Sequence, residues 1–142
     1  MADKYFVDTN ILIYAHDRST GEKHERARRV VERLWTNGQG VISTQILQEL
    51  YVNLRRKVAR PLPLDEIRRL IQDYLSWEII VNPPEAVLQA LDIEKLYKIS
   101  FWDALVLYAA EHSGAAVLYS EDLAGGRKYG AIQVVNPLVS HG

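Results

Sequence analysis

The sequence predicts an α/β domain of three layers, with helices over both faces of a mostly parallel five-stranded sheet. Two observations lead there. Short β-prone runs alternate with amphipathic helical segments along the chain, and a sheet fed by helices in this way is parallel and covered on both sides. The length of 142 residues and the 48% hydrophobic content are enough for one sizeable core, so residues 1–142 are expected to fold as a single domain.

Tyr5, Phe6 and Val7 form the first strand, which stops at Asp8-Thr9-Asn10, and Ile11 to His16 reads as a helix. From Glu22 to Trp35, Ala27, Val30, Val31, Leu34 and Trp35 recur at spacings of three and four among charged residues, an amphipathic helix stopped by Asn37-Gly38. Val41-Ile42 is the second strand. Thr44 is placed to cap a helix whose apolar positions are Ile46, Leu47, Leu50, Tyr51 and Leu54 and which carries Glu49. Pro61 and Pro63 interrupt the chain before another helix, marked by Leu64, Ile67, Leu70, Ile71, Tyr74 and Leu75. Glu78 to Val81 is the third strand, Pro83-Pro84 opens a helix reaching about Tyr97, and Phe101 to His112 follows Ser100 as a further helix. Ala116 to Tyr119 and Ile132 to Val135 complete the strands. No internal repeat or linker divides the chain.

Composition removes several chemistries. There are no cysteines, which excludes disulfides, thiolate metal sites and cysteine nucleophiles and agrees with a reducing, cytoplasmic location. No apolar stretch approaches the roughly 18 residues needed to span a bilayer, so no membrane association is expected. His16, His24, His112 and His141 are scattered without metal-ligand spacing, and no Walker A loop, GxGxxG or GxSxG motif occurs. Gly125-Gly126-Arg127-Lys128 is a short Gly-rich basic loop. The net charge of −1 conceals an asymmetry: residues 18–70 hold 12 of the 17 Lys and Arg but only 6 of the 18 Asp and Glu. Such a stretch is commonly a solvated helical surface, and beside an acidic metal site it suits a phosphodiester backbone. Tyr51, Trp35 and Trp102 read as core residues.

Four acids stand out. Asp8 is the only charge between Tyr5 and Ala15, at a strand-to-helix junction where it also suits a helix cap. Asp103 is the one acid in the apolar helix from Phe101 to Ala110, where a carboxylate needs a partner or a metal; Ser100-x-x-Asp103 also has capping-box spacing. Glu49, with Gln45 and Asn53 a turn away on either side, reads alone as a solvated helix residue. Asp122 follows the strand end Leu118-Tyr119-Ser120 and suits a turn, with Glu121 as its rival. In an open parallel sheet, ligands gather at the carboxyl ends of the strands, and Asp8 and Asp122 fall just beyond such ends. Four converging carboxylates require cations or retained protons, and oxygen donors favour Mg²⁺ or Mn²⁺.

Val7-Asp8-Thr9-Asn10-Ile11-Leu12-Ile13-Tyr14-Ala15, Glu49, Ser100-Phe101-Trp102-Asp103-Ala104-Leu105 and Leu118-Tyr119-Ser120-Glu121-Asp122-Leu123, in that order, resemble the PIN-domain ribonucleases, in particular VapC-like toxins of toxin–antitoxin pairs. The closing Val134-Val135-Asn136-Pro137 resembles the same subgroup. The resemblance implies a Mg²⁺- or Mn²⁺-dependent endoribonuclease acting on RNA, with Asp8 and Asp103 as chief metal ligands, Glu49 and Asp122 completing the quartet, and Asn10 and Ser120 in support. Where the family usually has Thr, a polar residue and Asp, this chain has Ser120-Glu121-Asp122, so the resemblance leaves Glu121 open as a rival to share or replace the role of Asp122. A cognate antitoxin partner and a homodimer are also implied. The alternatives are a metal-dependent phosphoryl-transfer or phosphatase-like domain and a catalytically silent PIN-like binding domain. The phosphatase-like pattern wants a second Asp where Asn10 stands.

Overall fold

The computed structural model describes residues 3–123 and 126–139; His141 and Gly125, singled out above, lie outside them. The strands are β1 (Tyr5–Val7), β2 (Gly40–Ser43), β3 (Glu78–Ile80), β4 (Val117–Tyr119), β5 (Lys128–Tyr129) and β6 (Ile132–Val135), in the sheet order β3-β2-β1-β4-β6-β5. All neighbours pair in parallel except β5 with β6. Among the described residues the sheet thus has six strands rather than five. The addition, β5, is two residues long and folds back on β6 in the register Tyr129↔Ile132, with Gly130 at φ 60° in the turn, a left-handed conformation that glycine adopts without Cβ strain.

The helices are α1 (Thr9–His16), α2 (Glu22–Asn37), α3 (Thr44–Arg56), α4 (Leu64–Tyr74), α5 (Glu85–Tyr97) and α6 (Phe101–Ser113), with a 3₁₀ turn at Arg18–Thr20. Helix α1 packs on α2 and α3, and α3 on α4, while α6 lies across β2 and β3 with α5 against it. The predicted period decides what each helix buries. Ala27, Val30, Val31 and Leu34 of α2 and Ile46, Leu50 and Leu54 of α3 are buried, and each large aliphatic among them contributes roughly 1.5–3 kcal/mol. Every residue from Ala104 to Ala110 of α6 is buried, as an unbroken apolar run demands. Helix α2 ends where Gly38 takes the left-handed conformation and its N–H bonds the Leu34 carbonyl.

Several local expectations shift. The cap of α3 is the Ser43 hydroxyl, which accepts from the Ile46 N–H at 3.4 Å; Thr44 is the first helical residue. Of the aromatics read as core, Tyr51 is half-buried against it. Trp35 packs on Tyr74 and Trp77 yet stays 38% exposed, and Trp102 is 61% exposed. Gly40 exists for Trp77: a Cβ there would sit 2.5 Å from the indole. No helix among the described residues is long and apolar enough to cross a membrane.

Candidate active site

Strand order reverses direction at the junction of β1 and β4: β2 and β3 continue to one side, β6 and β5 to the other. Chains leaving neighbouring strands there diverge and open a crevice at the carboxyl edge. Asp8 leaves β1 at this point, its N–H extending the ladder to the Tyr119 carbonyl at 2.9 Å, and Ser120 leaves β4 beside it.

Asp8 is both helix cap and cavity wall. Its Oδ1 accepts from the Thr9 N–H at 2.8 Å and its Oδ2 from the Ser120 hydroxyl at 2.8 Å. Ser120 Oγ also accepts from the Leu123 N–H at 3.3 Å, so the turn after β4 is folded around that hydroxyl. The Thr9 hydroxyl donates to Glu49 Oε1 at 2.7 Å, carrying the network from the end of β1 onto α3. Asn10 accepts the Glu121 N–H at 3.1 Å and so ties α1 to the Ser120–Asp122 segment.

A cavity of about 330 Å³ is lined by Asp8, Glu49, Asp103 and Asp122, together with Thr9, Asn10, Gln45, Asn53 and Trp102. The four predicted acids therefore face one space, and Ser120 stands directly behind Asp8. Glu121 does not line the cavity. Its carboxylate turns toward α1 and α2, where Tyr14 OH donates to it at 2.7 Å and Lys23 Nζ lies 2.7 Å away. Burial alone would raise the Glu121 pKa, but these two partners outweigh it and hold the carboxyl below its ordinary value. Asp103 forms half of the expected capping box: Ser100 Oγ accepts its N–H at 3.1 Å, while no reciprocal bond to the Ser100 N–H forms among the described residues. Sequence reasoning missed Thr9, Gln45, Asn53 and Trp102. The signal for two of them was present, because Gln45, Glu49 and Asn53 fall at steps of four and so share one helical face.

The electrostatics follow from this crowding. Burial pushes the Asp8 pKa from 3.8 to about 7; the Ser120 and Thr9 bonds pull against that, and the charges of Asp103 and Glu49 add to it. Asp103 is likewise raised, first by burial, against the pull of the neighbouring Ser100 hydroxyl and with the help of the Asp122 charge. Carboxyls that resist ionisation beside one another are stabilised as anions by a cation. Among the described residues, no three Asp, Glu or His side chains are drawn tightly enough together to hold a metal ion directly. Mg²⁺ needs no such trio, since it is commonly held by one or two carboxylates and keeps several waters. The donor set, all oxygen and partly neutral without a cation, fits a hard divalent ion.

A second groove of about 1540 Å³ shares no lining residue with the first. It runs between α1, α2 and α4, past His16, Arg28, Trp35 and Arg69. Burial there lowers the His16 pKa to about 4, and its Nε2 lies 2.7 Å from Tyr74 OH.

A parallel α/β sheet with a carboxylate cluster at its switch point defines an acidic-site α/β domain. The chain belongs to the PIN domain family, whose model matches residues 5–127. It is 26% identical to Ribonuclease VapC24 of Mycobacterium tuberculosis, over 96% of this chain and 98% of that protein. Its fold is similar to that of a chain in a toxin–antitoxin complex from Klebsiella pneumoniae (TM-score 0.69, 21% identity, 94% and 98% of the two chains). It is also similar to Mycobacterium tuberculosis VapC20, described as a sarcin-ricin loop cleaving toxin (TM-score 0.62, 19% identity, 84% and 90%).

Proposed function

We propose that this chain is a divalent-metal-dependent endoribonuclease of the VapC kind, the toxin of a toxin–antitoxin pair. The observation that carries the reading is Asp8, a buried carboxyl held by two hydrogen bonds and pushed to about pKa 7 in the company of Asp103 and Glu49. Its likeness over nearly full length to a relative named a ribonuclease supports RNA as the substrate.

In this reading Asp8 and Asp103 hold Mg²⁺ or Mn²⁺, and Glu49 and Asp122 complete the acidic wall. When bound, the cation supplies Lewis acidity toward the phosphate and lowers the pKa of water for in-line attack. The chain's own residues do the positioning. Thr9 N–H and Ser120 fix both oxygens of Asp8, and the Thr9 hydroxyl orients Glu49 toward the same space. Asn10 holds the segment that presents Asp122. Glu49 and Asp122 orient the attacking water, and the product keeps a 5′-phosphate. Past Asn53, α3 continues into Arg55 and Arg56 and is capped by Lys57, and with Arg60 these enter no ion pair among the described residues. They suit the polynucleotide backbone beyond the acidic wall. By contrast, Arg26 and Arg28 of α2 are already engaged by Glu22, Glu25 and Glu32.

The larger groove suits an antitoxin tail. Helix α1 contributes Asn10 and Ile13 to the acidic cavity and Ala15 and His16 to the groove, so a segment seated in the groove has one helix to cross before a side chain of its own competes for the acids. Copurification from the native operon tests this partner; full activity of protein isolated alone, with no small partner gene adjacent, counts against it. Exposed Val87, Leu88 and Leu91 on α5 support a homodimer. A single domain in the cytoplasm completes the reading.

The decisive measurement is cleavage of structured RNA by wild type and Asp103→Asn with Mg²⁺, Mn²⁺ or EDTA. Metal-dependent cleavage by wild type, stopped by EDTA and lowered about a hundredfold or more in the variant, is expected. Activity that survives EDTA or the substitution removes this site from the reaction.

A further inference from the structure

Trp102 has no role in the mechanism above, and its placement is unusual. It is 61% exposed, against 38% for Trp35 and 8% for Trp77, although an indole is among the side chains that gain most from burial. It borders the acidic cavity, one residue before Asp103. Its mount is rigid. The Phe101 ring meets it edge-on at 5.2 Å and 77°, Ser100 caps the first turn of α6, and Gln45 Nε2 donates to the Trp102 carbonyl at 3.2 Å. An aromatic side chain on a fixed base, left open at the mouth of a cavity, is a preorganised flat surface.

Resting on the endoribonuclease reading, we propose that Trp102 is the stacking platform for an unpaired nucleobase beside the scissile phosphate. The charge layout selects this occupant. The wall next to the indole is built of Asp8, Glu49, Asp103 and Asp122, which repel every phosphate not held by a cation, and Arg55, Arg56 and Lys57, in no ion pair among the described residues, lie at the far end of α3. A strand held at Arg55, Arg56 and Lys57 therefore needs an uncharged contact where it reaches the acids. Stacking provides one: every base has a π face, so the contact tolerates any sequence, and it carries little salt dependence of its own. A base can lie on the indole only when it is out of a duplex, so the platform selects single-stranded or looped RNA.

The probes are a short mixed-sequence single-stranded RNA and the same RNA in a duplex, titrated in EDTA against wild type, Trp102→Ala and Trp102→Phe, with KM and kcat then measured in Mg²⁺. Expected are quenching of indole fluorescence by the single strand, lost in both variants, and binding about tenfold weaker for Trp102→Ala with Trp102→Phe within about threefold of wild type. The slope of log affinity against log salt should stay the same in all three, because no phosphate contact has been removed. The loss in Trp102→Ala should fall on KM more than on kcat. Unchanged affinity and KM in Trp102→Ala, or a reduced salt slope, overturns the platform while leaving the nuclease reading intact. Wild type that neither binds nor cleaves RNA overturns both. Sedimentation of each variant identifies the competing occupant: a dimer that dissociates in Trp102→Ala assigns the indole to a second copy and refutes stacking.

Discussion

Asp8→Asn is expected to stabilise the metal-free protein above neutral pH while removing a ligand of the proposed metal site. The folded Asp8 carboxyl gives up its proton near pH 7 and the unfolded one near 3.8, so the native state binds that proton more tightly. Its contribution to folding is full below the unfolded value and is lost as pH rises through about 7. Three pK units at 1.36 kcal/mol each set a ceiling of about 4 kcal/mol on the loss. Relaxation and water entry into an open cavity reduce this to on the order of 2 kcal/mol. Asn keeps the acceptor for the Thr9 N–H, has nearly the same shape and does not titrate. Urea unfolding in EDTA at about pH 4 and about pH 8 reads the effect, and comparing variant with wild type at each pH cancels the titration of carboxyls remote from Asp8, leaving only Asp103 and Glu49, whose charges couple to it, in the difference. The variant should gain roughly 2 kcal/mol on wild type between the two pH values. Mg²⁺ added at the higher pH should restore wild type and leave the variant unmoved, since only a ligand of the native state stabilises it. A difference between the two proteins that is the same at both pH values would refute the account of Asp8 as a carboxyl ionised against its surroundings.

Two further outcomes follow from local geometry. Glu121→Gln should leave the cleavage rate within about twofold of wild type, while Asp122→Asn lowers it about tenfold or more, because only Asp122 faces the cavity; equal losses in a kcat comparison would return Glu121 to the acidic set. Gly40→Ala should cost about 1–3 kcal/mol by urea denaturation, with a changed Trp77 emission, because the new methyl meets the indole at 2.5 Å; an unchanged midpoint would mean that Trp77 has room to move.

The layers, the parallel sheet and the positions of the four acids were legible because each rests on a local signal that the fold obeys: apolar period in α2 and α3, an unbroken apolar run in α6, and a charge breaking an apolar strand end at Asp8. The rest depended on context that a linear pattern lacks. Strand β5 has two residues and one buried side chain, Tyr129, too little for any alternation to register. Ser43 and Thr44 are both residues that cap helices, and backbone direction decides between them. Helix α6 is apolar all round, so nothing in its pattern tells that Trp102 faces outward while Leu105 to Ala110 do not. Glu121 and Asp122 adjoin in sequence, yet Lys23 and Tyr14, roughly a hundred positions earlier, draw one of them away.

The pairing of Asp8 and Ser120 across β1 and β4 puts the proposed site at the middle of the sheet, two strands in from either edge. Edge strands open first in thermal fluctuations, and central ones exchange their amides only when the whole molecule unfolds. Partial opening at β3 or β5 therefore spares the hydrogen bonds that aim Asp8. Catalytic competence and global folding should vanish together on heating, leaving no range of temperature in which an intact core carries a dismantled site.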